Sequence, residues 1–363
     1  MLWRKSFPGW LLGLALGLAW LAAHAEPTCR MAFDVGSSGV RVGASNSPAQ
    51  AHVEIDYLTP LWAGRGLDAT LKPTAAALKN LPVEARLSAA CDRVAGTFSA
   101  WRLAWQQAAD DTAALMARLQ ADTHVAVLVM PQSVEGAYAY ASARQVLGAH
   151  LTTSHVLDIG GGSLQIAGAR TTFGQALGQK SWHQVLCTNL RHSAVASCEL
   201  QPMSAADLRQ ARSLLDDKFS GMAATLGSLT TLTAISRPVT RGVAPAVRLL
   251  VAKKTESSVA LSAQDVSTAI GKIAGLSGDK TAELVAAPSS YATYLLSDML
   301  LLEGVLRATG GTDIHVIEGT LSILPALLSD DTAFQWGAHY GCYLERFKVT
   351  GPDAYFSDPA TCN

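Results

Sequence analysis

Two segments of this sequence share one pattern: an aspartate at the end of a short apolar run leads into a turn of glycine and serine, and a second apolar run follows. The first segment runs from Met31 to Ala44 with Asp34 before its turn, and the second from Val156 to Gly168 with Asp158 there. Apolar runs that flank a tight Gly/Ser turn predict β-hairpins. Either turn alone is equally typical of an ordinary hairpin. The repetition favours a shared function.

Turns rich in glycine and serine expose successive backbone N–H groups, which bind phosphate oxygens without positively charged side chains. A carboxylate just before such a turn is placed to ligate Mg²⁺, which proteins commonly hold through one or two carboxylates together with phosphates. We therefore predict that Asp34 and Asp158 face a magnesium ion. The residues predicted to bind phosphate are Gly36, Ser37, Ser38, Gly160, Gly161, Gly162 and Ser163.

Glu135 stands shortly after the apolar run Val125–Met130, which reads as a buried parallel strand, and opens a helical segment that extends to Gly148. A carboxylate at the mouth of a phosphate cleft can orient the attacking water or take its proton. The alternative is a glutamate favoured at a helix start by the helix dipole.

The rest of the chain alternates helical and strand patterns, so we predict an α/β protein. Helical periodicity also covers the stretch from Ala75 to Leu119, broken near Pro82. Serine N-caps open two later helices. The later predicted elements are helices at Ser204–Met222, Ser262–Leu276, Thr281–Thr309 and Gly319–Leu328 and a strand at Ile314–Ile317.

The N-terminal residues have the three parts of a signal peptide: a positive flank, an apolar run from Trp10 to Ala23 and an A-x-A triplet that ends at Ala25. We expect cleavage after Ala25 and a periplasmic or secreted protein. An uncleaved anchor is less favoured, because the run is shorter than the ~20 residues that a membrane span needs.

All six cysteines follow the expected cleavage site, and an even count in an exported chain predicts disulfides. Metal binding is the rival interpretation, but no C-x-x-C pair is present. Proximity favours the pairs Cys187–Cys198 and Cys342–Cys362, which leaves Cys29–Cys91, although sequence alone does not fix the connectivity. The formal net charge is −1, so any anion site is local and neither nucleic acid nor a membrane surface is an expected partner.

The motifs resemble those of the exopolyphosphatase and guanosine pentaphosphate phosphatase (Ppx/GppA) family and, more distantly, of apyrase-type ectonucleotidases. The segment Asp34–Arg41 is similar to the phosphate-1 loop of both groups, including its closing arginine, and Leu157–Gln165 is similar to the phosphate-2 loop. The segment Val134–Gly148 is similar to the one that carries the catalytic glutamate, and Glu135 matches that residue.

This resemblance implies two ribonuclease-H-like lobes of the actin-like superfold, with the active site in the cleft between them. It implies that Glu135 is catalytic, that Arg41 offsets phosphate charge, and that Gln165 assists the two aspartates at the metal. The domain limits expected from it are a signal peptide at 1–25, a first lobe at 26–130 that residues 329–363 are candidates to complete, and a second lobe at 131–328.

The sequence also departs from the family. Exopolyphosphatases usually have glutamate at the position of Gln165, whereas ectonucleotidases have glutamine there, as this chain does. A neutral amide adds no charge toward a metal. A later Gly-Gly-Thr phosphate turn is expected near Thr233–Thr240, where an Arg and a Pro stand instead. Arg237 or Arg241 can bind phosphate there, or both are solvated loop charges. The family's Thr-Ser-Ala-Leu-Arg segment is only echoed, in Ser88–Arg93.

The favoured function is an exported, Mg²⁺-dependent exopolyphosphatase that releases terminal phosphate from polyphosphate. One rival is an exported nucleoside tri- or diphosphatase, which Gln165 favours. Another is a protein that binds a phosphate chain or a nucleotide with little or no turnover. The expected partner is the polyphosphate or nucleotide substrate, without a stable membrane anchor, and a homodimer is left open.

Overall fold

The computed structural model describes residues 29–193, 198–251, 260–286 and 289–362, without the side chains of residues 289 and 290. The predicted signal peptide lies outside the described residues. Within the described ranges, no helix combines the length and the apolar character that a bilayer crossing requires.

Within these ranges the strands form two sheets, both mixed. The strands of the first sheet are β1 Arg30–Val35, β2 Gly39–Ala44, β3 Ser47–Glu54, β4 Asp92–Thr97 and β5 Ala126–Val129. Those of the second are β6 His155–Ile159, β7 Leu164–Gly168, β8 Thr172–Gln175, β9 Thr231–Ala234, β10 Ala260–Ser262 and β11 Asp313–Val316.

The two sheets repeat one topology. The first has the order β3-β2-β1-β4-β5, in which β1, β2 and β3 are antiparallel neighbours and β4 and β5 continue parallel to β1. The second has the order β10-β11-β9-β6-β7-β8, in which β6, β7 and β8 take the places of β1, β2 and β3. Both predicted hairpins are thus confirmed, and the fold is α/β with two lobes.

Helices cover the faces of the sheets. In chain order they are α1 Leu58–Trp62, α2 Asp68–Glu84, α3 Ser99–Gln107, α4 Ala109–Thr123, α5 Gln132–Leu147, α6 Gln179–Arg191, α7 Ala205–Phe219, α8 Met222–Leu226, α9 Ala244–Leu250, α10 Ala263–Ile273, α11 Gly278–Val285, α12 Ser289–Thr309, α13 Leu324–Leu328, α14 Asp331–Ala338 and α15 Tyr340–Thr350. Short 3₁₀ turns lie at Gly148–His150, Gly351–Phe356 and Pro359–Thr361, and a π-helical turn at Pro238–Val243.

Most predicted helices are confirmed, and the serine caps are too: Ser204 and Ser262 each accept a hydrogen bond from the backbone N–H three residues on. Three predictions were wrong. The predicted helix Thr281–Thr309 is divided into α11, which ends at Val285 before a left-handed Ala286, and α12, which begins at Ser289. The stretch Ala75–Leu119 contains β4, and α2 continues through Pro82 to its end at Glu84. The last predicted helix begins only at Leu324, because residues 320–323 form a loop at the cleft.

Each sheet has its own buried cluster of apolar side chains. The cluster of the first sheet includes Phe33 and Trp101 from the first part of the chain, and Trp336 and Phe347 from α14 and α15. These two late helices pack on β4, β5 and α4. The domain limits given above stay a prediction. The packing of α14 and α15 on the first sheet is what we expect if residues 329–363 complete the first lobe.

Three disulfides join Cys29 to Cys91, Cys187 to Cys198 and Cys342 to Cys362, which confirms the predicted pairing. The three disulfides fit a periplasmic or extracellular protein.

Candidate active site between the two sheets

The two Gly/Ser turns meet across the cleft between the lobes. They line a cavity of about 240 Å³, which we call the phosphate cavity; Gly36, Ser37 and Ser38 approach from the first turn and Gly160 and Gly161 from the second. The turns are close enough to require glycine. A Cβ added at Gly161 would lie 2.4 Å from Ser37 Oγ.

Each turn is closed by the same hydrogen bond, from the N–H of its first glycine to the carbonyl oxygen three residues later. The donor is Gly36 in the first turn, at 3.0 Å, and Gly160 in the second, at 2.8 Å. In the second turn the carbonyl oxygens of Gly160 and Gly161 also accept from the first N–H groups of α6, those of Gln179 and Lys180. These carbonyls are thus engaged by the helix rather than presented to an anion.

Asp34 and Asp158 line the phosphate cavity at the carboxyl ends of β1 and β6. Burial raises the pKa of Asp34 to about 6, with a lowering contribution from Arg41 and a raising one from Glu135. Burial also raises the pKa of Asp158 to about 7, and both Glu135 and Asp34 raise it further. Asp34, Asp158 and Glu135 therefore bring three carboxylates together at one cavity, and the repulsion among them adds to the effect of burial.

The residue opposite each aspartate differs between the lobes. Arg41 is the cross-strand partner of Asp34 and lines the cavity. Gln165 is the partner of Asp158, is 1% exposed, and donates from Nε2 to Ser163 Oγ at 2.9 Å. Gln165, Gly162 and Ser163 lie behind the cavity wall rather than in it. A metal-binding role for Gln165 stays a prediction.

Glu135 lies in the first turn of α5 and lines the phosphate cavity. Its Oε2 accepts a hydrogen bond of 2.6 Å from Nη2 of Arg102, and both side chains are nearly buried. The guanidinium is itself fixed, because its Nη1 donates to the carbonyl oxygen of Met130 at 2.9 Å. The predicted catalytic carboxylate is thus held in one orientation.

The donor set fits Mg²⁺, a hard cation that prefers oxygen ligands. Asp34, Asp158 and Glu135 supply carboxylate oxygens, and their mutual repulsion is what a divalent cation would relieve. A second group, His183, Cys187 and Cys198, has side-chain atoms within 4.8 Å of one another. Its two sulfurs are joined in a disulfide, so it lacks the thiolates that a metal would bind.

Neither a scan of protein-family models nor a search of curated proteins finds a match for the sequence. Solved structures do match. The type II variant of the Aquifex aeolicus Ppx/GppA phosphatase is 13% identical with a TM-score of 0.60, and the match covers 84% of this chain and 100% of that one. An exopolyphosphatase-like protein is 16% identical with a TM-score of 0.62, over 84% and 98%. An exopolyphosphatase from Cytophaga hutchinsonii is 16% identical with a TM-score of 0.57, over 83% and 98%.

This chain has the Ppx/GppA fold. The resemblance predicted from the motifs is confirmed at the level of the fold.

The segment Ser88–Arg93, which only echoes the family's Thr-Ser-Ala-Leu-Arg pattern, does not reach the phosphate cavity. Ser88, at the start of the predicted segment, is exposed and does not line the cleft. The same letters recur in Ser99-Ala100-Trp101-Arg102, directly after β4, where Ser99 lines the phosphate cavity and Arg102 binds Glu135. Arg102 was not predicted from the sequence. The signal that could have identified it is the Ser-Ala-x-Arg pattern directly after the buried strand β4.

The altered third turn follows β9 and also reaches the cavity. Ser236 and Arg237 line it, whereas Arg241 is exposed and does not. Arg237 Nη1 lies 3.7 Å from Glu54 Oε1 on the opposite lobe. Ser236 is 5% exposed, and its Oγ has no hydrogen-bond partner within the described parts of the chain. A buried hydroxyl without a partner beside a cavity is what a bound anion would satisfy.

Proposed function

We propose that this protein hydrolyses the terminal phosphoanhydride bond of a phosphate chain. The observation that carries the proposal is the convergence of Glu135, Asp34 and Asp158 on a cavity walled by two Gly/Ser turns. Backbone N–H groups suit phosphate oxygens, and carboxylates suit a metal and a water molecule.

In this proposal the two turns grip the terminal phosphates from opposite lobes, and Arg41 offsets part of their charge. Ser236 offers an additional hydroxyl donor. Glu135 orients a water molecule in line with the terminal phosphorus and takes its proton. Arg102 keeps the Glu135 carboxylate turned into the cavity through its 2.6 Å contact.

Mg²⁺, held by Asp34 and Asp158 with Gln165 nearby, would when bound neutralise charge on the phosphate oxygens. The dependence on Mg²⁺ is part of the proposal. Its support is the convergence of the Asp34, Asp158 and Glu135 carboxylates on one cavity, where burial is the main cause of the two raised aspartate pKa values and Glu135 raises both.

Polyphosphate is one candidate substrate, because two of the matching solved structures carry exopolyphosphatase in their names. Nucleoside tri- and diphosphates are the second, favoured by Gln165 and by Arg237 in place of a flexible third glycine turn. A protein that only binds such chains is disfavoured, because Glu135 and its partner Arg102 are both in place at the cavity.

We also propose that the protein is exported, with its signal peptide removed after Ala25. The three disulfides support an oxidising compartment. N-terminal sequencing of the protein recovered from periplasm or medium checks this. Recovery of a chain that still begins at Met1 would contradict it.

The hydrolase proposal is tested with purified residues 26–363, incubated with long-chain polyphosphate, inorganic tripolyphosphate and nucleoside triphosphates. Phosphate release is measured with Mg²⁺ and with EDTA. We expect release that depends on Mg²⁺ and is lost in Glu135→Gln. Binding of these substrates without release would refute hydrolysis and leave the binding function.

A further inference from the structure

A second cavity opens beside the phosphate cavity and shares part of its wall. This side cavity has a volume of about 330 Å³, within the roughly 300–1,000 Å³ of small-molecule pockets. Ser38, Gln179 and Arg237 line both cavities. If a phosphate chain is bound between the two turns, the group attached to its inner end would therefore lie in the side cavity.

The charges in the side cavity do not suit a continuing polyanion. Its two cations each face a carboxylate of the opposite lobe: Lys180 Nζ lies 3.5 Å from Asp56 Oδ1, and Arg237 Nη1 lies 3.7 Å from Glu54 Oε1. All four side chains line the side cavity, so its formal charge is zero. Because both cations are already paired with carboxylates, a polyphosphate that continued into the side cavity would find no net positive charge to offset its own.

Aromatic rings form another part of the wall. Tyr291 and Tyr294 line the side cavity. Because they are three positions apart in α12, they lie on the same face of that helix. Both are half-buried. The ring of Tyr294 packs edge-on against His183 with 4.9 Å between centroids, which fixes its orientation. Aromatic faces of this kind stack on nucleobases irrespective of base identity.

We infer that the side cavity holds the nucleoside of a nucleoside polyphosphate, so that the substrate class is nucleotides rather than inorganic polyphosphate. The base stacks on Tyr291 or Tyr294, and the Asp56 and Glu54 carboxylates accept hydrogen bonds from sugar hydroxyls. This inference rests on the proposed function, because it assigns the neighbour of the same phosphate cavity.

The test compares nucleoside triphosphates with an inorganic compound that carries the same phosphate chain. Values of kcat/KM are measured for ATP, GTP, CTP and UTP and for inorganic tripolyphosphate, which lacks only the nucleoside. We expect at least one nucleotide to exceed tripolyphosphate by roughly tenfold, the value of one stacked base. Tyr291→Ala/Tyr294→Ala should remove that preference and leave tripolyphosphate hydrolysis in place.

Two controls separate stacking from folding. The double Tyr→Phe variant keeps both rings and should keep the preference. Phe356→Ala removes an exposed aromatic that lines neither cavity and should change neither substrate. The inference is overturned if no nucleotide exceeds tripolyphosphate, or if the double alanine variant lowers both substrates equally while Phe356→Ala does not.

Failure of the inference is distinguishable from failure of the proposed function. Hydrolysis of tripolyphosphate without nucleotide preference upholds the hydrolase and refutes the nucleoside site. If nothing is hydrolysed, calorimetric titration with the same five compounds decides: tighter binding of a nucleotide than of tripolyphosphate upholds the side cavity, and equal binding refutes it.

Discussion

The two hairpins at the cleft are built alike but are charged differently. In the first, Asp34 faces Arg41 across the strand pair; in the second, Asp158 faces the amide of Gln165. The pKa of Asp34 is raised to about 6 and that of Asp158 to about 7, and in both the main cause is burial. Arg41 lowers the pKa of Asp34, whereas no cation does the same for Asp158.

In the proposed function, this difference divides the two roles of the cleft between the lobes. The first hairpin brings its own positive charge and can oppose phosphate charge directly. The second adds a carboxylate, Asp158, whose pKa is lowered by no cation among the described residues, so in the proposed function a divalent metal is its partner. The repeat in the sequence therefore supplies one shape twice, and under the proposed function we expect the residue opposite each aspartate to separate phosphate binding from metal binding.

Glu135 lies outside both hairpins, so changing it should leave their comparison intact while removing the chemistry. We expect Glu135→Gln to lower kcat by roughly 10² to 10⁴, the usual size of a general acid/base contribution, with little change in substrate affinity. Single-turnover phosphate release and substrate titration measure the two quantities. Turnover equal to wild type would reduce Glu135 to a helix-start carboxylate.

The two aspartates give the sharpest contrast between the hairpins. Asp158→Asn should raise the Mg²⁺ concentration for half-maximal rate by at least about tenfold and lower kcat too, because it removes the carboxylate that lacks a cation. Asp34→Asn should cost less, since it frees Arg41 to oppose phosphate charge. Magnesium titrations of both variants decide it, and equal losses would abolish the proposed division.

The glycines test how closely the turns approach each other. Gly161→Ala should destabilise the protein by about 1–3 kcal/mol, the usual cost of overpacking, because its Cβ would meet Ser37 Oγ at 2.4 Å. A Cβ at Gly36 would meet its nearest atom at 4.0 Å, so Gly36→Ala is the matched control with a smaller effect. Denaturant unfolding measures both. Similar losses would mean that the turns are not in contact in solution.

The smallest expected effect converts the first hairpin toward the second. Arg41→Gln should raise the pKa of Asp34 from about 6 toward that of Asp158, about 7, in metal-free protein. Because both aspartates keep a proton in the folded state that the unfolded chain releases near pH 4, metal-free stability should fall as pH rises from about 4 to about 7. Carbon-detected NMR titration reports the pKa directly. An unchanged pKa of Asp34 would show that Arg41 does not cause the difference between the two aspartates.

Local patterns predicted the hairpins and the capped helices, because a tight turn or a serine cap depends on residues close in sequence. The strand β4 was missed because its segment, Asp92–Thr97, mixes charged and small residues. Its pairing with β1 and β5 determines its conformation, and neither partner is adjacent in the sequence.

The candidate site was predicted as far as its motifs reached. Arg102 escaped prediction because its partner Glu135 lies 33 residues away and only the fold brings the two together. The side cavity escaped for the same reason: Asp56 and Tyr294 come from different lobes, and neither stands in a recognisable motif.

The packing of α14 and α15 on the first sheet has a consequence for how the chain reaches its fold. Trp336, Tyr343 and Phe347 are fully buried in a cluster whose other members come mostly from residues 31–143, with smaller contributions from Val156, Ile235 and residues 323–362. Tyr343 Oη also accepts a hydrogen bond from the Val129 N–H, at the end of β5. During synthesis the second lobe can thus assemble from contiguous residues. One apolar face of β4 and β5, by contrast, stays uncovered until residues 331–362 have been synthesised. A holding chaperone would find its binding surface on the first lobe, although that lobe is made earlier.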